Sequence, residues 1–254
     1  MKQFLKNIFY FKCAFWDFLL HDSKARILMY HSHELPNVFF NVSKEQFVWQ
    51  LDYLQNHGYH FVTVSRLVEK MNNKESLRNV IAITYDDGHR DFLTTALPEF
   101  IERDIPVTLY FPKGMTRDTL VTSTGISCPL ISREEIEHLK KNPLIEIGSH
   151  GVSHTEFPTV SDEMLAVELA REGEHSIAYP RGKHGAREVR EVQKAGYTSA
   201  VTTISGFVGH KNDPFIFPRI SIDRETNHLA FRAKLSTMFG FYASVRVWIS
   251  SRKQ

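Results

Sequence analysis

The stretch Val80-Ile81-Ala82-Ile83-Thr84-Tyr85-Asp86-Asp87-Gly88 decides how the rest of the chain is read. A run of largely β-branched apolar residues ends abruptly in two adjacent carboxylates and a glycine. The run has the length and composition of a buried strand, with the acidic pair at its C-terminal mouth. Asp-Gly is also ordinary turn chemistry, so from this stretch alone a plain turn and a site are equally open. Two neighbouring carboxylates at a strand end are costly without a cation or a shared proton between them. The flanking sequence has to decide.

Residues 26–31 read as a short buried strand ending in His31. A helix follows over 43–56, with Ser43 as N-cap, Gln46 at the capping-box position and Gly58 as its stop. A strand over 61–64 leads to a helix capped by Ser65. After the quoted stretch come a helix near 91–103, a strand over 107–111 and a long loop over 112–131. Ser132 then opens a helix, with Glu135 completing a capping box. Strands over 144–149, 177–179, 197–203 and 215–220 alternate with helices over 161–174, 186–195 and 227–235. Such alternation implies parallel βαβ units. About seven repeats in one chain point to a single α/β domain, a distorted, closed (β/α) barrel rather than an open sheet. In such barrels chemistry sits on the loops after the strands. Those loops carry His31, Asp86, Asp87, His150, His154 and Pro180.

With 254 residues, 42% of them hydrophobic and 24% charged, the chain has an ordinary globular composition and can bury a core without disulfides. A net charge of +2 gives no argument for a nucleic-acid partner. The two cysteines, Cys13 and Cys128, suggest free thiols and no disulfide framework. No run is apolar and long enough to predict a spanning helix. Residues 1–25 are nonetheless rich in Phe, Ile, Leu and Trp without a clear cleavage site. Residues 226–254 read as a basic amphipathic helix. Together the ends suggest peripheral membrane contact, with the cytoplasmic side slightly favoured. Oligomeric state is not legible.

The second signal is His150-Gly151-Val152-Ser153-His154 after the strand 144–149. Two imidazoles at i and i+4 can face one ion if the segment is helical. A carboxylate from elsewhere would complete a His₂-carboxylate site with open positions. Alone, such a pair is more often two surface histidines. Its placement at a strand end, on the same rim as the acidic pair, favours the site.

These residues carry a family resemblance. Thr84-Tyr85-Asp86-Asp87-Gly88 resembles the T-F-D-D-G motif of polysaccharide deacetylases, the NodB-homology or carbohydrate esterase 4 family. The segment 150–154 resembles its H-(S/T)-x-x-H motif, and Ala178-Tyr179-Pro180-Arg181-Gly182 its third motif. Residues 27–31 resemble the M-Y-H segment of the branch acting on exopolysaccharide, where the last histidine motif lies at the N-terminal end. The resemblance covers roughly residues 26–225 and implies a NodB-like barrel. It implies that Asp87, His150 and His154 hold one divalent cation: zinc, with cobalt or nickel as alternatives. It further implies Asp86 as general base and His31 as general acid, an oxyanion or substrate contact at Tyr179, Pro180 and Arg181, and a backbone N–H near Arg181 as the oxyanion donor. The reaction implied is N-deacetylation of an N-acetylated sugar in a bacterial-type surface polysaccharide or lipid-linked glycan.

Three positions depart from the family pattern. Gly151 stands where Ser or Thr is frequent, Arg181 where Tyr is usual, and Ala178 where an arginine usually orients the base. Arg219, expected at another strand end, is the candidate replacement; a rim salt bridge is its bland alternative. His33 competes with His31 for the acid role, and His89, next to the acidic turn, lines the cleft. The departures keep a catalytically silent carbohydrate-binding barrel in play. An amidohydrolase acting on a non-sugar C–N amide is the third reading.

Overall fold

The computed structural model describes residues 23–35, 38–114, 119–121 and 127–243. Strands β1 (Arg26–Tyr30), β2 (His60–Val62), β3 (Val80–Tyr85), β4 (Val107–Phe111), β5 (Thr119–Val121), β6 (Ser127–Pro129), β7 (Ile145–Ser149), β8 (Ser176–Ala178), β9 (Ser199–Val201) and β10 (Ile220–Ser221) alternate with helices. Seven of them form a curled parallel sheet in the order β10-β1-β3-β4-β7-β8-β9, with β2 pairing β3 from the side. β5 and β6 form a separate antiparallel hairpin within the expected loop 112–131.

The expected closed barrel is a half-barrel. No ladder joins β9 to β10. The wall there is completed by single bonds: Phe217 N–H to Ala200 O at 3.0 Å, Thr202 N–H to Phe217 O at 2.9 Å and Arg219 N–H to Ile204 O at 2.8 Å. Pro214 and Pro218 account for this, because proline cannot donate to a ladder. They confine the expected strand 215–220 to β10, preceded by a short 3₁₀ turn over Pro214–Ile216.

Strand alternation sorts the core and aims the site. Along β3, Ile81, Ile83 and Tyr85 pack outward against helix residues Phe47, Phe92 and Phe100. Val80 and Ala82 face the barrel interior with Ile27, Tyr110, Ala178, Val201 and Phe217. Both faces are buried, as parallel sheets require. Since side chains alternate with period two, Asp86 continues the inward set of β3, and His31 that of β1. The ladder itself runs past the strand ends: Asp86 N–H donates to Tyr30 O at 3.0 Å, and His150 N–H to Phe111 O at 3.0 Å.

The helix signals held where a capping residue was local. Ser43 caps Lys44–Asn56, and Ser132 with Glu135 forms the capping box of Arg133–Leu139. Elsewhere tertiary partners moved the boundaries. Thr63, not Ser65, caps Val64–Asn72, because the N–H and hydroxyl of Ser65 are taken by the Glu146 carboxylate at 3.1 and 2.8 Å. The helix from Ser161 stops at Glu168 rather than 174; beyond it, Glu174 captures Glu172 N–H at 2.6 Å. The helix near 91–103 opens as a π-helix over Phe92–Ala96 before continuing as Leu97–Glu102.

The segment 226–254 is not one helix in its described part. His228–Leu235 is helical and packs Phe231 and Leu235 inward; Ser236 is extended and breaks it. Lys234, expected on a basic face, is buried and donates to Ser221 O, Thr226 and Asp223. The expected membrane-contacting ends fall largely on residues 1–22 and 244–254, outside the described residues. Among the described residues no helix is long and apolar enough to cross a membrane.

Candidate metal centre and active site

The acidic turn, the histidine pair and the N-terminal histidine converge at one mouth of the half-barrel. Asp87 follows Asp86 at φ +69°, and Gly88 repeats that conformation, so the chain turns sharply after β3. A Cβ at position 88 would lie 2.5 Å from the Phe111 ring, so this turn needs glycine both for its backbone and for its space. The turn separates the two carboxylates. Asp86 points down into the barrel and Asp87 stays at the mouth.

Asp87 Oδ1 lies 3.2 Å from His150 Nε2 and 3.2 Å from His154 Nε2. One ligand atom from each of the three lies within 4.8 Å of the others. His150 donates its Nδ1–H to Ala178 O at 2.8 Å, which leaves the Nε2 lone pair turned to Asp87. The histidines do not meet on a helix, as the spacing first suggests. The segment is irregular, and left-handed Gly151 (φ +77°) and His154 (φ +60°) fold it back instead.

Two neutral imidazoles and a carboxylate suit a borderline divalent cation. Bonds of about 2.0–2.2 Å to one ion separate its ligand atoms by about 3–3.5 Å, which is the spacing of both Asp87–His pairs. The donor set therefore fits the group. Burial by itself would raise the Asp87 carboxyl; the adjacent imidazoles of His150, His154 and His89 outweigh it and hold the carboxyl well below its ordinary range. Burial works to lower His150, and Asp87 and Asp86 overcome it and raise it.

Asp86 is 3% exposed and is gripped by Arg219, which is itself 1% exposed. Arg219 Nη1 donates to Asp86 Oδ1 at 2.7 Å and Nη2 to Oδ2 at 2.6 Å. The same guanidinium donates to Thr84 Oγ1 at 3.0 Å and, through Nε, to Thr202 O at 2.8 Å. Burial pushes the Asp86 carboxyl up, and Arg219 more than offsets it, so the carboxyl sits below its usual value. Arg219 lies at a strand end, the N-terminal end of β10, and is buried rather than on the rim. It precedes the first residue of β10 and reaches up through the barrel interior, which only a long side chain can do.

His31 has a buried Nδ1 with no hydrogen-bond partner among the described residues, and its ring stacks on Phe40 at 4.4 Å between centroids. Burial lowers its pKa, against the Asp87 and Asp86 charges that raise it. His33 is differently placed. Its Nδ1 pairs with Val42 O at 2.8 Å and its Nε2 with the Tyr85 hydroxyl at 2.7 Å, so both ring nitrogens are used in the core. His89 is more central than its sequence position alone suggests. It is 5% exposed, with Nε2 3.6 Å from Asp87 Oδ2. A cavity of about 220 Å³ opens beside it, lined also by Leu35, Asp91 and Thr94.

The third motif lies close by but turns its side chains away. Tyr179 is buried and donates its hydroxyl to Phe215 O at 3.1 Å. Pro180 opens a 3₁₀ turn over Pro180–Gly182. Arg181, at φ +53°, extends toward solvent, where it pairs with Glu156 at 3.5 Å. What this segment can present to a substrate is backbone.

Comparison with known proteins gives a consistent picture. A family profile described as polysaccharide deacetylase matches residues 73–233. The poly-β-1,6-N-acetyl-D-glucosamine N-deacetylase of Staphylococcus aureus is 22% identical over 220 residues, which cover 79% of this chain and 74% of that protein. The deacetylase PplD of Streptococcus pyogenes, solved with acetate, superposes with a TM-score of 0.72 at 22% identity, over 84% of this chain and 98% of that one. IcaB from Ammonifex degensii gives 0.71 at 21% identity, over 84% and 98%. The structural likenesses speak for the fold. That fold also extends beyond the matched residues, because β1 and β2 pair directly with β3.

Proposed function

The chain belongs to the polysaccharide deacetylase family, hydrolases of carbon–nitrogen amide bonds, and from that premise we propose that it is a metal-dependent N-deacetylase of an N-acetylhexosamine polymer. The observation that carries the reading is the meeting of Asp87, His150 and His154 beside an Asp86–Arg219 pair at one barrel mouth. Asp87, His150 and His154 would hold the cation, zinc first among the candidates. When bound, such an ion supplies Lewis acidity, lowering the pKa of water toward about 7 in the best zinc cases and polarising an amide carbonyl.

The remaining chemistry falls to the protein's own groups. Asp86 accepts the proton of the attacking water. Arg219 keeps that carboxylate ionised and fixes its plane, so the base is ready at neutral pH. His31 delivers a proton to the departing sugar nitrogen, and stacking on Phe40 fixes its ring. The backbone N–H of Arg181 is the candidate for stabilising the oxyanion, which asks nothing of the Arg181 side chain. The amide C–N bond breaks, water adds, and acetate and a free amine leave.

The staphylococcal relative makes poly-β-1,6-N-acetylglucosamine the first substrate to try, with β-1,4 oligomers and lipid-linked sugars beside it. The test is acetate release with added zinc, wild type against Asp86→Asn. Release by the wild type and its collapse in the variant is the expected result. No release from any of these glycans by metal-loaded wild type would favour the binding barrel or a non-sugar amide.

A further inference from the structure

The two histidines of the metal centre stand on an irregular loop, and Glu168 holds it. Glu168 is the last residue of Asp162–Glu168 and is 2% exposed. Its Oε2 accepts the backbone N–H of Val152 at 2.7 Å and of Ser153 at 3.0 Å. Its Oε1 accepts the Ser153 hydroxyl in a short bond. All three donors belong to residues lying between His150 and His154. A second set of bonds reaches the same loop from the end of β4: Lys113 N–H donates to Gly151 O at 3.1 Å, and Gly114 N–H to Val152 O at 2.8 Å.

Position 151 completes the argument. At φ +77°, a Cβ there would meet Glu168 Oε2 at 2.8 Å and Phe157 Cε1 at 3.2 Å. The carboxylate occupies the space a side chain would take, and the backbone conformation disfavours one. The glycine that departs from the H-(S/T)-x-x-H pattern is therefore matched to Glu168. The hydroxyl that donates into this loop's support stands at Ser153 instead.

We propose that Glu168 is a positioning residue for the metal centre, fixing the loop 150–154 so that both Nε2 atoms meet Asp87. A buried carboxylate taking three donors from one short loop leaves that loop few alternative arrangements. Partners that orient metal ligands typically govern metal affinity as well as fold. The inference rests on the metal-binding half of the proposed function and is independent of which glycan is cut.

The test uses the purified full chain. Zinc affinity is measured by competition with a chromophoric chelator, and the Co²⁺-loaded protein is read by its visible d–d absorption. Glu168→Gln keeps the shape but loses the charge and one acceptor oxygen. Ser153→Ala removes one donor and leaves the backbone intact. The expected result is a rise in zinc Kd of about 10–100-fold for Glu168→Gln, a smaller rise for Ser153→Ala, and an altered Co²⁺ band in both. A Glu168→Gln protein that folds, binds zinc within about twofold of wild type and keeps the Co²⁺ spectrum overturns the proposal. Should Glu168→Gln fail to fold, Ser153→Ala decides: unchanged affinity and spectrum overturn it too. Wild type that binds zinc tightly but releases no acetate would sink the sugar reading and leave this one standing. An active wild type with an indifferent Glu168→Gln would do the reverse.

Discussion

Arg219 and Asp86 form a bidentate ion pair in the barrel interior, its two bonds at 2.7 and 2.6 Å joining residues 133 positions apart. Asp86 is buried, so without the guanidinium its carboxyl would be driven upward; with it, the carboxyl lies below its ordinary value. A depressed folded-state pKa contributes stability above the unfolded value that is lost as pH falls through the folded one. Arg219→Met should therefore move the acid limb of the rate profile to higher pH and cost about 3–5 kcal/mol near neutrality. Rate profiles and denaturant melts read both effects. An acid limb that stays in place in Arg219→Met would mean that the arginine does not set the base.

Asp86→Asn removes the proton acceptor and leaves the cluster of Asp87, His150 and His154 untouched. Acetate release should fall by about 10²–10⁴-fold while bound zinc per protein stays at the wild-type level. Loss of zinc along with activity would assign Asp86 to the ion instead.

His150→Ala and His154→Ala should each lose zinc, and they should differ in stability. His150 also donates Nδ1–H to Ala178 O, so its removal costs about 1 kcal/mol more in the metal-free protein. Metal analysis and metal-free melting curves separate the two variants. Unchanged metal content in His150→Ala would refute the ligand assignment.

Chelation should abolish acetate release, and zinc or cobalt should restore it. An ion that binds only the folded chain also stabilises it, by about 2.7 kcal/mol at a free concentration of 100 Kd. A melting temperature indifferent to zinc across that range would argue against any tight site.

His31→Asn and Tyr85→Phe distinguish the two neighbouring histidines. The first should lower turnover by about 10²–10⁴-fold as the loss of a general acid. The second removes only the hydroxyl bonded to His33 Nε2, so it should cost about 0.5–1.5 kcal/mol of stability with turnover little changed. The reverse pattern would move the acid role to His33.

Much of this was legible in the sequence because its signals are local. The apolar run into Asp86-Asp87-Gly88 gave both a strand and the turn that parts the carboxylates. Ser132 and Glu135 announced their helix because both halves of the capping box lie within one turn. What stayed hidden depends on partners far along the chain. Ser65 looked like a cap until Glu146 claimed it. The spacing of His150 and His154 left open whether their segment is helical, because the bonds that shape it come from Glu168 and from Lys113 and Gly114, far along the chain. Arg219 was recognisable as a candidate, but its route through the barrel interior follows from the register of β10 against β1.

The strand order has a consequence for how the molecule comes into being. β1, which leads into His31, is made before β3 and β10, yet it lies between them. One edge of β1 therefore waits unpaired until residues near 220 have been made. Asp86 likewise waits for Arg219, the guanidinium that pairs with it in the folded barrel. Such long-range closure is slow and exposes open strand edges on the way. Translation must pass the last strand before Asp86 can meet Arg219 in the finished barrel. Catalytic competence would then require the chain through β10, and fragments ending before residue 219 should be both inert and prone to stick to one another.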